Sequence, residues 1–362
     1  PRIVMDSFIN GQPVKLVFDT GAEVPILFRS ATQRLNLSVK EAPDDVAIEP
    51  GKIQTGLTER CRLQLIEGGP ESSIHFAVAD IPNYLSRDFD GVLAWSGIKD
   101  MMLKMDPWAK RVKIRKSIDF DRSQWTCLEI RTDMNILVAK TSSSDTTQDL
   151  LLIDTGSPDG LSIKKQMWTQ ITDDKTDANT TLSAIYYPGV GLVVDKETWT
   201  REVNFGDLPL NDIPVKMGVD AHPWLMKEGI DGILGMWGLS CYTWIVDGPA
   251  GKIYFQKNDL KRIPEKYDYN RLGAVFTPED IQTTDALLAH VAKGGPAYRA
   301  GIRNGDELLR IGTVDATKWR KDPNVMPLSQ YWERPAGTDI DLVIMRNGKK
   351  KNINVTLKEI FK

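Results

Sequence analysis

The residues best suited to chemistry are two aspartates in a repeated string. Asp-Thr-Gly occurs at 19–21 in KLVFDTGAEVPIL and again at 154–156 in LLLIDTGSPDGLSI. Two carboxyl groups held close together cannot both ionise cheaply, so such a pair shares one proton. The ionised carboxylate can take a proton from water while the protonated one donates to a carbonyl oxygen, which is general acid–base hydrolysis. Asp19 and Asp154 are therefore the candidate catalytic residues.

The segments that follow the two strings are also repeated. DFDGVLAWSGIKDMMLKMDPWAKRVKI, which begins at Asp88, aligns with GIDGILGMWGLSCYTWIVDGPAGKIYF, which begins at Gly229. A repeat of this length indicates a duplicated structural unit. If the two halves pack about a pseudo-two-fold axis, Asp19 and Asp154 face each other across it.

The neighbours of each aspartate have predicted supporting roles. We expect Thr20 and Thr155 to crosslink the two loops by hydrogen bonds. Gly21 and Gly156 let backbone amides approach and hold the carboxylates.

The two loops differ directly after the glycine, where Ala22 stands in one and Ser157 in the other. A hydroxyl on Ser157 could hydrogen-bond Asp154 and favour its ionised form, which Ala22 cannot do for Asp19. The sequence therefore predicts that Asp19 holds the shared proton, although coupled groups titrate as a pair.

The elements that must position these loops are strands. Short runs rich in Val, Ile and Leu, cut by Gly, Pro, Asn and Asp, predict many short strands joined by turns, with helix at 29–37 and 164–171. A charged, Pro-containing stretch at 262–270 predicts a linker. The tail beyond it predicts a small α+β domain that ends in a hairpin with an Asn-Gly turn.

The composition of the chain argues against several classes of partner and cofactor. The 362 residues include 46 Lys and Arg against 49 Asp and Glu, with a formal net charge of -3 and no basic, aromatic-rich stretch, so we expect no nucleic-acid partner. No apolar run approaches the roughly 18 residues of a membrane span. The three cysteines and three histidines lack the spacing of a disulfide framework or metal site, so we expect no metal and no cofactor.

At these residues the chain resembles the pepsin-like and retropepsin-like aspartic proteases, over about residues 1 to 260. The resemblance implies a mainly β, bilobal acid-protease fold with two homologous β-barrel lobes, at 1–116 and 117–262. It implies an aspartic endopeptidase whose substrate is a peptide or unfolded protein. In that family an apolar-apolar-Gly segment completes each loop: DGILG at 231–235 matches, whereas DGVLA at 90–94 puts Ala94 where Gly235 stands.

Proteases of that family close a glycine-containing hairpin over the substrate. Candidates are IEPGKIQTGL at 48–57 and IYYPGVGL at 185–192. The second gives Tyr186, Tyr187 and Gly189 as candidate substrate-binding residues, because a phenol at a hairpin tip can contact both substrate and solvent.

The tail at 263–362 resembles a PDZ domain of the bacterial protease-associated kind. GGPAYRAGIRNGDELLRIGTVDA, from Gly294, looks like its central segment, and RLGAVF, from Arg271, is similar to the loop that receives a peptide carboxylate. The resemblance implies that protein C termini bind in a groove beside the helix suggested by VMPLSQYWE. The residues that would bind them are Leu272, Gly273, Ala274 and Val275.

Two alternatives to an active protease remain open at the level of sequence. One is a catalytically impaired, protease-like peptide-binding protein, distorted by Ala94. The other is an autoinhibited protease that needs a trigger. In each case we expect a bacterial protein that works outside the cytoplasm, in the periplasm, on a lipid anchor or secreted, after removal of a signal.

Overall fold

The computed structural model describes residues 3–41, 55–65, 67–69, 71–79, 88–107, 109–142, 148–172, 179–187, 191–258, 267–280, 283–322 and 324–361. The chain divides into two compact units. The first holds residues 1–161, 204–210 and 227–265, and the second holds 162–203, 211–226 and 266–362. The three-domain division at 116 and 262 stays a prediction.

The described residues are mainly β, as predicted. In chain order the strands are β1 (Val4–Ile9), β2 (Gln12–Asp19), β3 (Ile26–Phe28), β4 (Val39–Glu41), β5 (Thr55–Thr58), β6 (Cys61–Gln64), β7 (Glu71–Ile74), β8 (Ala77–Ala79), β9 (Gly91–Ala94), β10 (Met102–Asp106), β11 (Arg111–Arg115), β12 (Thr126–Ile130), β13 (Val138–Ser142), β14 (Gln148–Ile153), β15 (Leu161–Ile163), β16 (Thr181–Tyr187), β17 (Gly191–Phe205), β18 (Leu208–Met217), β19 (Gly232–Leu234), β20 (Tyr242–Asp247), β21 (Lys252–Lys257), β22 (Ala274–Thr277), β23 (Leu288–Val291), β24 (Glu307–Ile311), β25 (Val314–Asp315), β26 (Asp339–Arg346) and β27 (Lys349–Thr356).

The helices are short and few among the described residues. They are α1 (Arg29–Arg34), α2 (Lys165–Ile171), α3 (Pro223–Lys227), α4 (Met236–Ser240), α5 (Pro296–Arg299) and α6 (Ser329–Trp332). The two helices predicted at 29–37 and 164–171 are confirmed as α1 and α2. In the part of the chain that the structure describes, no helix has the length and apolar character to cross a bilayer.

The first unit contains a nine-stranded sheet in the order β4-β5-β8-β3-β9-β2-β1-β6-β7. Asn10 and Gly11 connect β1 to β2 with φ of 50° and 82°, the left-handed pair that a two-residue hairpin turn requires. Leu16 and Phe18 of β2 are fully buried. The core therefore fixes the strand that leads into the first Asp-Thr-Gly string.

The remaining strands of the first unit join both halves of the repeat. Eight neighbouring strands run in the order β11-β10-β20-β21-β12-β13-β14-β19. Strand β10 of the first repeated block pairs antiparallel with β20 of the second, with Leu103 opposite Val246. The two repeated halves thus share a continuous hydrogen-bonded sheet.

Each Asp-Thr-Gly strand is held by an equivalent parallel pair. Strand β2 pairs with β9, with Leu16 opposite Gly91, and β14 pairs with β19, with Leu151 opposite Gly232. The register is the same in both halves, because Leu16 and Leu151 hold the same place before their aspartates. The sequence repeat is therefore a repeat of geometry at the site.

The second unit includes a sheet in the order β22-β23-β24-β26-β27, with β25 on β24, and the antiparallel hairpin β16–β17. Asn347 and Gly348 form the turn between β26 and β27, with φ of 50° and 72°. The predicted hairpin with an Asn-Gly turn is confirmed.

Candidate active site

The two aspartates are held by identical sets of backbone hydrogen bonds. Asp19 ends β2, and its Oδ1 accepts from the N–H of Gly21 at 2.8 Å and of Ala22 at 3.1 Å. Asp154 directly follows β14, and its Oδ1 accepts from Gly156 at 2.8 Å and Ser157 at 3.1 Å. One oxygen of each carboxylate is therefore fixed by the backbone of its own turn.

The two loops are crosslinked by a buried threonine network. The N–H of Thr20 donates to Thr155 Oγ1 at 3.0 Å, and the N–H of Thr155 donates to Thr20 Oγ1 at 3.1 Å. Each hydroxyl then donates to a backbone carbonyl of the opposite strand: Thr155 Oγ1 to Phe18 at 2.8 Å, and Thr20 Oγ1 to Ile153. Both threonines are fully buried. This reciprocal network sets the separation of the two aspartates.

The glycines allow the carboxyl groups to meet. A Cβ on Gly21 would lie 2.7 Å from Cγ of Asp154, and a Cβ on Gly156 would collide with the carboxylate of Asp19. Each carboxyl group therefore lies against the glycine of the opposite loop, where no side chain fits. Asp19 and Asp154 interact directly by charge and by a side-chain hydrogen bond.

The surroundings of Asp154 favour its protonated form. Burial of the carboxyl group, followed by the charge of Asp19, raises the pKa of Asp154 well above its ordinary value, although the backbone hydrogen bonds from Gly156 and Ser157 lower it. The sequence-based assignment of the shared proton to Asp19 stays a prediction, because the two carboxyl groups titrate as a coupled pair. The Ser157 hydroxyl oxygen accepts from the N–H of Asp159 at 3.4 Å.

Two further aspartates, Asp90 and Asp231, support the site and were not among the residues predicted from the sequence. The N–H of Lys15 donates to Asp90 Oδ2 at 2.9 Å, and the N–H of Leu150 donates to Asp231 Oδ2 at 2.8 Å. The N–H of each aspartate returns a bond to the carbonyl of the same partner, at 2.7 and 2.8 Å. These bonds lock β9 onto β2 and β19 onto β14. The repeated Asp-Gly of the two aligned blocks was the available signal.

The position behind each loop is occupied differently in the two halves. A Cβ on Gly235 would lie 2.5 Å from the carbonyl oxygen of Asp159 and 2.9 Å from Ser157 Oγ. Ala94 lies in register with Asp19 and is fully buried in ordinary extended conformation, with φ of -78° and ψ of 161°. The first half therefore accommodates the methyl group without backbone strain.

The other candidate residues lie in the second unit. Tyr186 and Tyr187 belong to β16, opposite Leu192 and Gly191 of β17. Gly189 lies outside the described residues, as do positions 48–54 of the other candidate hairpin.

The candidate peptide-binding loop of the tail is buried. Leu272 and Ala274 have no exposed surface, Val275 is 1% exposed and Gly273 is buried with φ of 69°. The structure thus brings the aspartates, threonines and glycines of the repeated string together in one unit and places the hairpin and tail candidates in the other. Among the described residues, no group of three or more His, Cys, Asp or Glu side chains could hold a metal ion.

Among solved structures, the chain is similar to the EIAV protease in complex with the inhibitor HBY-793, at 22% sequence identity and a TM-score of 0.22. The match covers 28% of this chain and 88% of that chain. No protein-family model matches the chain, and no curated protein matches it. A TM-score of 0.22 is too low to support a functional conclusion. The proposed function therefore depends on the geometry of the site.

Proposed function

We propose that the chain is an aspartic endopeptidase with two homologous lobes, in which Asp19 and Asp154 activate water for attack on a peptide bond. The observation that carries the proposal is the placement of each carboxyl group against the glycine of the opposite loop. That placement gives two directly interacting carboxyl groups with matched backbone support and a raised pKa on one of them. A shared proton is what acid and base catalysis by one pair requires.

The proposed reaction assigns the retained proton to Asp154, the carboxyl group whose pKa is raised. Asp154, which keeps its proton, donates it to the carbonyl oxygen, while ionised Asp19 takes a proton from a water molecule. The water oxygen bonds to the carbonyl carbon and gives a tetrahedral diol. Its collapse breaks the C–N bond as Asp19 donates its proton to the leaving nitrogen and Asp154 recovers one from the diol. The pair ends as it began, with one proton, and no covalent intermediate forms.

The threonine network supports efficient chemistry, because catalytic groups are most effective when their geometry is fixed before the substrate arrives. In both Thr20 and Thr155, the backbone N–H and the side-chain hydroxyl form hydrogen bonds with the opposite loop or strand.

The alternative of a catalytically impaired peptide-binding protein is less well supported. Its stated cause was distortion by Ala94, and the backbone of Ala94 is unstrained.

The proposed substrate is a peptide or unfolded protein, and the proposed location is outside the cytoplasm. Binding of protein C termini by the tail stays a prediction, and the burial of Leu272 and Ala274 gives it little support. The hairpin β16–β17 stays the candidate for covering substrate.

The test is cleavage of a denatured protein mixture between about pH 3 and pH 8, with and without pepstatin, followed by sequencing of new termini. We expect new internal termini that disappear with pepstatin and in the Asp19→Asn variant. The matched control is Asp133→Asn, because Asp133 is 65% exposed and pairs with Arg131. Cleavage that persists in Asp19→Asn, or none by the wild type, would reject the proposal.

A further inference from the structure

In the tail loop that resembles a carboxylate-binding loop, the backbone amides already donate hydrogen bonds to the side chain of Asn270. Oδ1 of Asn270 accepts from the N–H of Leu272 at 2.9 Å and of Gly273 at 3.2 Å. Asn270 is 4% exposed. A peptide carboxylate would need these same backbone amides, so the side-chain amide of Asn270 occupies the place of that carboxylate.

The same side chain binds a second strand. Nδ2 of Asn270 donates to the carbonyl oxygens of Leu182 and Ala274, both at 2.8 Å. The hydroxyl of Thr181 donates to the carbonyl of Asn270 at 2.6 Å. Asn270 therefore joins β16, 88 residues earlier in the chain, to the loop and to β22.

Packing also joins β16 to the tail. Strand β16 runs beside β22, and among the described strands β23 is the sheet partner of β22. Leu182 belongs to the same buried cluster as Leu272, Phe276 and Trp332, and Val194 of β17 packs against that cluster. Side chains of the hairpin thus pack in the same buried cluster as Phe276 of β22 and Trp332 of α6.

The positively charged side chain of Arg271, next to Asn270, is also bound by other residues of the tail. The guanidinium of Arg271 stacks 4.2 Å above the ring of Tyr269, pairs with Glu359 at 3.3 Å and donates to the carbonyl of Glu333 at 2.9 Å. Arg271 is 1% exposed. Its charge is compensated within the tail.

We infer that the C-terminal segment from Asn270 onward is the receptor for a segment of its own chain, the hairpin β16–β17, with Asn270 standing in for a peptide C terminus. The groove in this state does not accept a free protein C terminus, which would have to displace both Asn270 and Leu182. The inference concerns the second unit alone and is independent of the chemistry proposed for Asp19 and Asp154.

The first measurement is hydrogen exchange at the amides of β16 in Asn270→Asp, with Asn304→Asp as the matched control. Aspartate keeps the acceptor for the loop but cannot donate to Leu182, whereas Asn304 is exposed and uses its Oδ1, which accepts from Val291 at 2.7 Å. We expect exchange in β16 to rise about tenfold in Asn270→Asp and to stay unchanged in Asn304→Asp. Thr181→Val serves as a milder second variant with the same direction.

The second measurement is binding of a fluorescent hexapeptide that ends in Val, with a free or an amidated C terminus. The full chain carries Asp19→Asn so that the probe is not cleaved. We expect no saturable binding by this parent or by its Asn270→Asp variant, because in both a side-chain oxygen still occupies the loop amides. Asn270→Ala frees the loop amides and also removes the hydrogen bond that holds Leu182, so it should gain binding for the free carboxylate alone. Equal binding by the parent and Asn270→Ala, or unchanged exchange in β16 of Asn270→Asp, would overturn the inference.

Discussion

At the scale of residues, the site is nearly symmetric in its hydrogen bonds, and its two carboxyl groups are coupled through one shared proton. Asp19 and Asp154 accept the same pair of backbone donors at the same distances. Two like charges this close cannot coexist cheaply, so the pair keeps a proton, and burial together with the charge of Asp19 raises the pKa of Asp154.

The first prediction is loss of peptide hydrolysis in Asp19→Asn and in Asp154→Asn with the fold retained. An amide keeps the shape and an acceptor for the backbone donors, but it cannot exchange the proton, and a general acid–base step contributes about 10²- to 10⁴-fold. Cleavage rates are compared with those of Asp133→Asn, and circular dichroism checks folding. Either folded variant retaining more than about a tenth of wild-type activity would disprove its catalytic role.

The second prediction concerns stability against pH. Because the pKa of Asp154 is raised in the folded state above its ordinary value of 3.8, the folded protein binds that proton more tightly than the unfolded chain does. The associated stability is fully present below pH 3.8 and is lost as pH rises toward the raised pKa. The double variant Asp19→Asn, Asp154→Asn lacks this titration.

Urea unfolding of the wild type and the double variant at a series of pH values measures that effect. We expect the free energy of unfolding of the wild type to fall relative to the double variant as pH rises above 3.8. Two curves that stay parallel would show that the pair does not retain a proton.

At the scale of elements, the parallel pairs β2–β9 and β14–β19 carry the site, and each is closed by a reciprocal aspartate bond at its start. This part of the fold could be predicted, because the sequence repeat covers both the Asp-Thr-Gly strands and the aligned blocks that pair with them. The role of Ser157 could not be predicted, since its hydroxyl has a choice of acceptors and donors that only the path of the loop to Asp159 decides.

The third prediction compares the residues behind the two loops. In Gly235→Ala the new methyl would lie 2.5 Å from the carbonyl oxygen of Asp159, so the backbone must shift, at a cost of about 1–3 kcal/mol, and activity should fall. Ala94→Gly should leave activity equal or higher, with a stability cost of about 0.5–1 kcal/mol. Unfolding midpoints and cleavage rates check both. An inactive Ala94→Gly would show that the first loop needs the methyl group.

At the scale of the whole molecule, the sequence suggested a tail joined by a linker, and the structure groups the tail with residues 162–203 and 211–226 in one compact unit. This grouping of the tail with residues 162–203 and 211–226 could not be predicted from the sequence. The side chain of an asparagine before RLGAVF can hydrogen-bond water as readily as the amides of the loop. Its partners Thr181 and Leu182 lie almost ninety residues earlier in the chain, in a strand whose sequence pattern is that of an ordinary hairpin.

The last prediction tests whether the tail is tethered or folded together with that hairpin. A specific protease site inserted between residues 259 and 266 allows the folded protein to be cut there. The tail then has no covalent bond to β16, yet it shares a buried cluster with Leu182 and the hydrogen bonds of Asn270. Burying a leucine side chain contributes about 1.5–3 kcal/mol, and a buried donor or acceptor left unpaired costs about 1–3 kcal/mol. We therefore expect the two fragments to elute together in size-exclusion chromatography and to separate in denaturant. Fragments that separate without denaturant would show that the tail is an independent, tethered domain, as the linker first suggested.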